Sequence, residues 1–203
     1  MDPAMRGNAW TLIVLGCDGT NHEGDPTYYV AIAKQWRGSR VQPLRPDTVL
    51  REIKNLIEPY GISDVWSDVH HIDSLKVIAE HEGLGISETY TTADTKTEGI
   101  ENIRIHIEAQ RLELPPNRAL RADLLRVKRK VNRKSTVMDL PVTRDGRHCD
   151  YVPTLATCLL YAPAQPLYVQ GRDEDPGLTA AKAALVETAE SPHRAAWVGG
   201  LHG

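Results

Sequence analysis

Three aspartates occupy positions from which they could share one chemical task. Asp18 closes the apolar run WTLIVLGCD (10–18) and Asp68 closes ISDVWSD (62–68). Asp150 opens DYVPTLATCLLY (150–161), where Val152, Leu155, Leu159 and Leu160 recur at helical spacing. In open α/β sheets, ligands gather beyond the carboxyl ends of strands. If the strands ending at Asp18 and Asp68 are neighbours, their carboxylates enter one crevice, and a late helix packed on that sheet brings Asp150 to join them. Three carboxylates at close quarters cannot all stay ionised alone, because like charges raise one another's pKa. A divalent cation relieves that repulsion, and an all-oxygen donor set with room for water suits Mg2+ or Mn2+. Two such ions about 4 Å apart would clamp the attacking and leaving oxygens of a phosphodiester displacement. A competing account of Asp150 is local: an aspartate ahead of a helix accepts hydrogen bonds from the amides of the first turn. Asp25, Asp64 and Asp73 lie near enough in sequence to replace a member of the trio, and no serine or cysteine constellation offers a covalent nucleophile. His70 and His71 stand at a helix start without a second ligand cluster and read as surface residues.

A second feature is electrostatic. The segment NRALRADLLRVKRKVNRK (117–134) carries eight basic residues, Arg118, Arg121, Arg126, Lys128, Arg129, Lys130, Arg133 and Lys134, against the single acid Asp123. The chain as a whole has a net charge of −3, so this run is a local reversal of sign. It reads either as the solvated face of a helix or as a surface that tracks nucleic-acid phosphates.

The elements that must position these residues follow from periodicity and punctuation. WTLIVLGCD reads as a buried strand, GTNHEGDP (19–26) as turn chemistry, and TYYVAIAKQW (27–36) as a second strand joined to the first in a hairpin. RGSRVQPL (37–44) has room for a short third strand. A helix is expected over 45–61, capped by Asp47, with Val49, Ile53, Leu56 and Ile57 as its stripe and Pro59 and Gly61 ending it. A strand at 62–68, a helix at 70–85, a strand at 86–92 and a helix at 95–114 follow, then the basic helix. An extended segment at 135–142 precedes the helix that begins at Asp150. Three meandering strands ahead of alternating helices and strands imply a mixed sheet flanked by helices.

A chain of 203 residues, 41% hydrophobic and 25% charged, suits one globular domain with an appendage. Cys17, Cys149 and Cys158 lack metal-type spacing and point to a reducing compartment. No apolar run approaches a membrane span. The two methionines of MDPAMRGNAW read as a vector-derived remnant, so residues 1–9 are expected to precede the domain proper, which occupies 10–162. Residues 163–203 turn rich in Pro, Gly and Ala and read as a tail with one short helix, about 176–189, begun by Asp175 and Pro176.

The strand LIVLGCDGT with its hairpin partner, the strand-end acid of VWSD and the late GRHCDYVPTLATCLLYA resemble the nuclease domain of tailed-phage terminase large subunits. The resemblance spans residues 10–162 and is carried by order and spacing. It implies the ribonuclease H-like fold, a mixed central sheet flanked by helices. It also implies Asp18, Asp68 and Asp150 as catalytic metal ligands for Mg2+ or Mn2+, as a pair of ions. Many members read DDxADALA near the last acid, whereas CDYVPTLA here lacks the second adjacent acid. Some carry a histidine just upstream, a place His148 fills, and the resemblance gives it a catalytic part. The implied activity is endonucleolytic cleavage of concatemeric viral DNA during packaging, in the cytoplasm of the host. The implied partners are double-stranded DNA, the portal protein and the small terminase subunit. No G-x-x-x-x-G-K-[ST] run is present, so the ATPase motor of such subunits is not expected on this chain. Two other readings stand beside this one: a junction resolvase or integrase-like phosphotransferase of the same fold, and a non-catalytic module that binds DNA or the portal.

Overall fold

A computed structural model describes residues 1–3, 9–39, 41–68, 72–131, 136–142 and 148–162. Two long strands, β1 (Ala9–Thr20) and β2 (Pro26–Arg37), pair antiparallel, from Ala9 opposite Arg37 to Thr20 opposite Pro26. The turn is made by Asn21, whose side-chain oxygen accepts from the amides of Glu23 and Asp25, with Gly24 at φ 85°. Along β1 the pleat sorts side chains onto two faces. Trp10, Leu12 and Val14 enter one core cluster; Ile13 enters the other.

The first cluster is closed by α1 (Pro46–Ile57) and α2 (Ile72–His81). Val49, Leu50, Ile53 and Ile57 of α1 are buried there, at the spacing of one helical face. Pro46 takes the first helical position, so the cap position falls to Arg45 without a side-chain hydrogen bond. Asp47, expected to cap, instead sits inside the first turn and pairs with Arg45 at 2.8 Å. A short 3-10 turn (Glu58–Tyr60) and Gly61, at φ 68°, lead into β3 (Asp64–Asp68), which pairs parallel with β4 (Gly85–Thr89).

The second cluster is closed by α3 (Ala93–Glu108), α4 (Arg118–Leu124) and α5 (Tyr151–Leu160). Gly99 lets α3 approach α5 closely, since a Cβ there would stand 2.9 Å from that of Ala156. α3 stops well short of residue 114. Gln110 turns left-handed at φ 54°, and β5 (Leu112–Glu113) then pairs parallel with β2 at Tyr28 and Tyr29. The expected third strand at 37–44 is not found among its described residues. Ser39 and Gln42 close a turn instead, and Pro43 offers no amide to a ladder. The expected basic helix is also divided. It survives only as α4, after which β6 (Lys128–Val131) pairs antiparallel with β7 (Thr136–Asp139).

Strands β5-β2-β1 form one ladder and β3-β4 another, and hydrogen bonds of the opening residues link the two. Asp2 forms an antiparallel bridge to Thr11, N–H to O at 2.9 Å in both directions, and the Met1 amine donates to the Trp66 carbonyl. Met1 is buried in the first core cluster. These residues, expected to lie ahead of the domain, are therefore part of its central sheet. The layers are α1 and α2, the mixed sheet, then α3, α4 and α5. Residues 163–203, with the expected tail helix, lie outside the described residues, as do His70 and His71.

Candidate functional site

Asp150 immediately precedes α5 and is buried, yet its side chain makes no cap hydrogen bond to the helix. Its Oδ2 instead accepts from the backbone amide of Ala9 at 3.1 Å, across 141 positions of sequence. The amide of Tyr151, at the first helical position and without a partner inside the helix, donates to Oδ2 of Asp123 at 3.4 Å. Asp123, fully buried on α4, thus satisfies one free amide of the first turn, while the Asp150 carboxylate is tied to the sheet.

Which acids share that place follows from the pleat. Directly opposed residues of an antiparallel pair project to the same face. Asp2 opposes Thr11, and the Thr11 hydroxyl meets Thr154 of α5 at 2.7 Å, so the Asp2 carboxylate faces α5 as well. On β3, Val65 and Ser67 are buried, with Val65 in the α1–α2 cluster. The alternate residues Trp66 and Asp68 then face α5, where the Trp66 ring meets Tyr161 edge-on at 4.6 Å. Asp2 feels this company. Burial, then the carboxylate of Asp150 and, less strongly, that of Asp68 push its pKa up to about 6, against the pull of the Met1 amine and Lys96.

Asp18 does not join them. Asp150 docks at Ala9, and Asp18 is nine residues further along β1, about 30 Å away at the rise of an extended strand. It is exposed beside the hairpin turn, where its charge, after burial, helps to raise the Tyr29 phenol. Asp68 and Asp150 lie on the α5 side with Asp2, whose carboxyl both of them act on, while Asp18 is at the far end of β1. Its signal in the sequence was the hairpin itself, because two strands joined by so few residues put Asp18 at the hairpin's tip. His148 is exposed two residues ahead of Asp150, and Cys149 between them is buried.

Of the basic residues, Arg118, Arg121, Arg126, Lys128, Arg129 and Lys130 are exposed, whereas Arg133 and Lys134 lie outside the described residues. Lys130 pairs with Asp139 at 2.8 Å and Arg129 approaches Glu101 at 3.8 Å. Asn117 caps α4, accepting from the amides of Ala119 and Leu120, and fastens it to β2 through the Ala33 carbonyl. Through Asp123 the same helix is held one residue from Asp150.

Among the described residues, no three His, Cys, Asp or Glu side chains are gathered closely enough to hold an ion. The donor chemistry nevertheless fits one: three carboxylates on one face, one of them raised by burial and then by its neighbours, form a hard, acidic, oxygen-only set.

No protein-family model matches the sequence, and no curated protein matches it. Solved structures do. The large terminase nuclease of thermophilic phage G20c matches with a TM-score of 0.51 at 17% identity, over 72% of this chain and 80% of that one. The same nuclease with bound magnesium matches equally well, at 16% identity. The large terminase of bacteriophage HK97 matches with a TM-score of 0.58 at 11% identity, over 75% of this chain and 37% of that longer one. At these identities the likeness is one of fold. The chain has the ribonuclease H-like fold of phage large-terminase nuclease domains.

Proposed function

We propose that the chain is a divalent-metal-dependent endonuclease that cleaves double-stranded viral DNA during packaging. The observation that carries this reading is the gathering of Asp2, Asp68 and Asp150 on the α5 face of the sheet, next to an exposed basic helix. Asp2, Asp68 and Asp150 would hold Mg2+ or Mn2+, as two ions in a full site. Bound there, the metal supplies charge neutralisation and Lewis acidity to the scissile phosphodiester. The chain's own residues do the rest. The strand bridge fixes the Asp2 main chain and the Ala9 amide holds the Asp150 carboxylate, so both residues are placed before any ligand arrives. The basic residues of 118–134 bind backbone phosphates and set the duplex in register without reading its sequence. His148, exposed at the entry to α5, handles a proton at the rim. The partners this reading implies are the portal protein and the small terminase subunit, and the setting is the host cytoplasm. Among the described residues no helix is long and apolar enough to cross a membrane.

The test is cleavage of supercoiled plasmid in Mn2+, Mg2+ or EDTA. Nicking and linearisation are expected with either ion and not in EDTA. Asp2→Asn, Asp68→Asn and Asp150→Asn should each lose nearly all cleavage, while Asp18→Asn cuts like the parent. Metal-independent cutting, or a parent-like Asp2→Asn, overturns the reading.

A further inference from the structure

We infer that Thr11 is a positioning residue that fixes Asp2 and Asp150 against each other. The inference rests on reading those two aspartates as a shared ligand set. Thr11 is fully buried, and it is polar where its strand neighbours Trp10, Leu12 and Ile13 are apolar. Its backbone holds Asp2 through both hydrogen bonds of the bridge, each 2.9 Å. Its side chain holds the other partner. The Thr11 and Thr154 hydroxyls meet at 2.7 Å, and Thr154 donates to the Asp150 carbonyl at 3.0 Å. A hydroxyl has one proton to give. With the Thr154 proton on the shorter contact to Asp150, Thr11 donates in the hydroxyl pair; the reverse order, Thr154 to Thr11 to the same carbonyl, ends on the same acceptor. The 3.4 Å approach of Thr11 Oγ1 to the same carbonyl is a weaker second contact.

One residue thus clamps two acids that are 148 positions apart, one through its main chain and one through its side chain. Ala9, two residues along the same face of β1, completes the arrangement by donating its amide to Asp150 Oδ2. The first turn of α5 is registered on β1 by these contacts. Valine at position 11 keeps the shape and β-branching of threonine but removes the donor, so the first turn of α5 loses its register while the core stays filled.

The experiment titrates the full chain with Mn2+ alone by calorimetry and follows plasmid cleavage in parallel. Thr11→Val should weaken Mn2+ binding by about tenfold or more, the usual cost of losing a group that orients a metal ligand. It should lower kcat without raising KM for DNA, because the basic surface is untouched. Thr11→Ser, which restores the hydroxyl, should bind Mn2+ within about threefold of the parent, since the orienting group is back. Thr154→Ala, which improves helix propensity and so favours folding, should weaken Mn2+ binding like Thr11→Val. Asp2→Asn and Asp150→Asn separate the two ideas. If they bind Mn2+ like the parent, the ligand set itself is wrong. If they lose binding while folded Thr11→Val or Thr154→Ala binds like the parent, the ligand set stands and the positioning role is overturned.

Discussion

At a pKa of about 6, raised first by burial and then by Asp150 and Asp68, Asp2 is mostly protonated in the folded chain at pH 5 and mostly charged at pH 7. Its ordinary value is 3.8, so between these two values the folded state binds more protons than the unfolded one. The associated stability is complete below about pH 4 and is lost as pH rises through 6, on the order of 3 kcal/mol for a shift of this size. The stability advantage of the parent over Asp2→Asn, read from urea midpoints in EDTA, should therefore shrink from pH 4 to pH 7. The comparison cancels Asp47, Glu52, Glu82 and Glu88, whose lowered pKa values act in the opposite sense. In Asp150→Asn the nearest repelling charge is gone, while the asparagine oxygen still accepts from Ala9, so the part of the pH dependence due to Asp2 should be smaller there. Parallel curves in all three proteins would remove Asp2 from the company of Asp150. Asp150 teaches a related point. Its type and place suit a cap, but the carboxylate turned to a strand far away in sequence, and a buried acid from another helix accepts the first amide of α5.

Among the elements, α4 and the β6–β7 hairpin carry the basic surface, and they were expected as one helix. Leu120 and Asp123 of α4 are buried one turn apart, which is helical spacing. Past Leu125 the chain switches to β6, but all four of its residues are exposed and Val127 and Val131 stand four apart, so no period of two marks the change. The charge count concealed that switch. Lys130 and Arg129 face Asp139 and Glu101, so neutralising them should cost less DNA affinity than neutralising Arg126 and Lys128. Replacing Arg126 and Lys128 with glutamine should flatten log affinity against log salt, evenly across sequences. The expected change is roughly 0.9 for each duplex phosphate that the side chains no longer neutralise. Fluorescence anisotropy with labelled duplexes between low and moderate salt measures this. An unchanged slope would return the segment to a solvated face.

For the whole molecule, the described core closes on residues no later than Ala162. One cluster lies between the sheet and α1–α2, the other between the sheet and α3–α5. A chain ending at Ala164 should therefore melt within about 4 °C of the full chain, the shift expected for about 1 kcal/mol in a protein of this size. A scanning calorimetry trace displaced by much more would make the tail a structural element. The opposite end is another matter. Met1 and Asp2 lie between β1 and β3, and their hydrogen bonds join the two parts of the sheet.

Local sequence was enough to specify the layered mixed sheet, the β1–β2 hairpin, the helices α1, α2 and α5, and two of the three acids. Each is written in periodicity: alternation gives strands with two faces, a 3.6-residue stripe gives helices with one, and a carboxylate at an element's end stands out against apolar neighbours. The order of those elements sufficed to expect Asp68 and Asp150 on the same side of the sheet, where both act on Asp2. The third member depends on tertiary structure. A two-residue bridge has no periodicity to read, because its strand character comes from partners at Thr11 and Trp66 rather than from its own composition. Asp18 reads as a member of the acid set for the opposite reason. It ends a well-formed strand, but which end of that strand meets α5 is set by the hydrogen bonds of Ala9 and Thr11 to residues some 140 positions away.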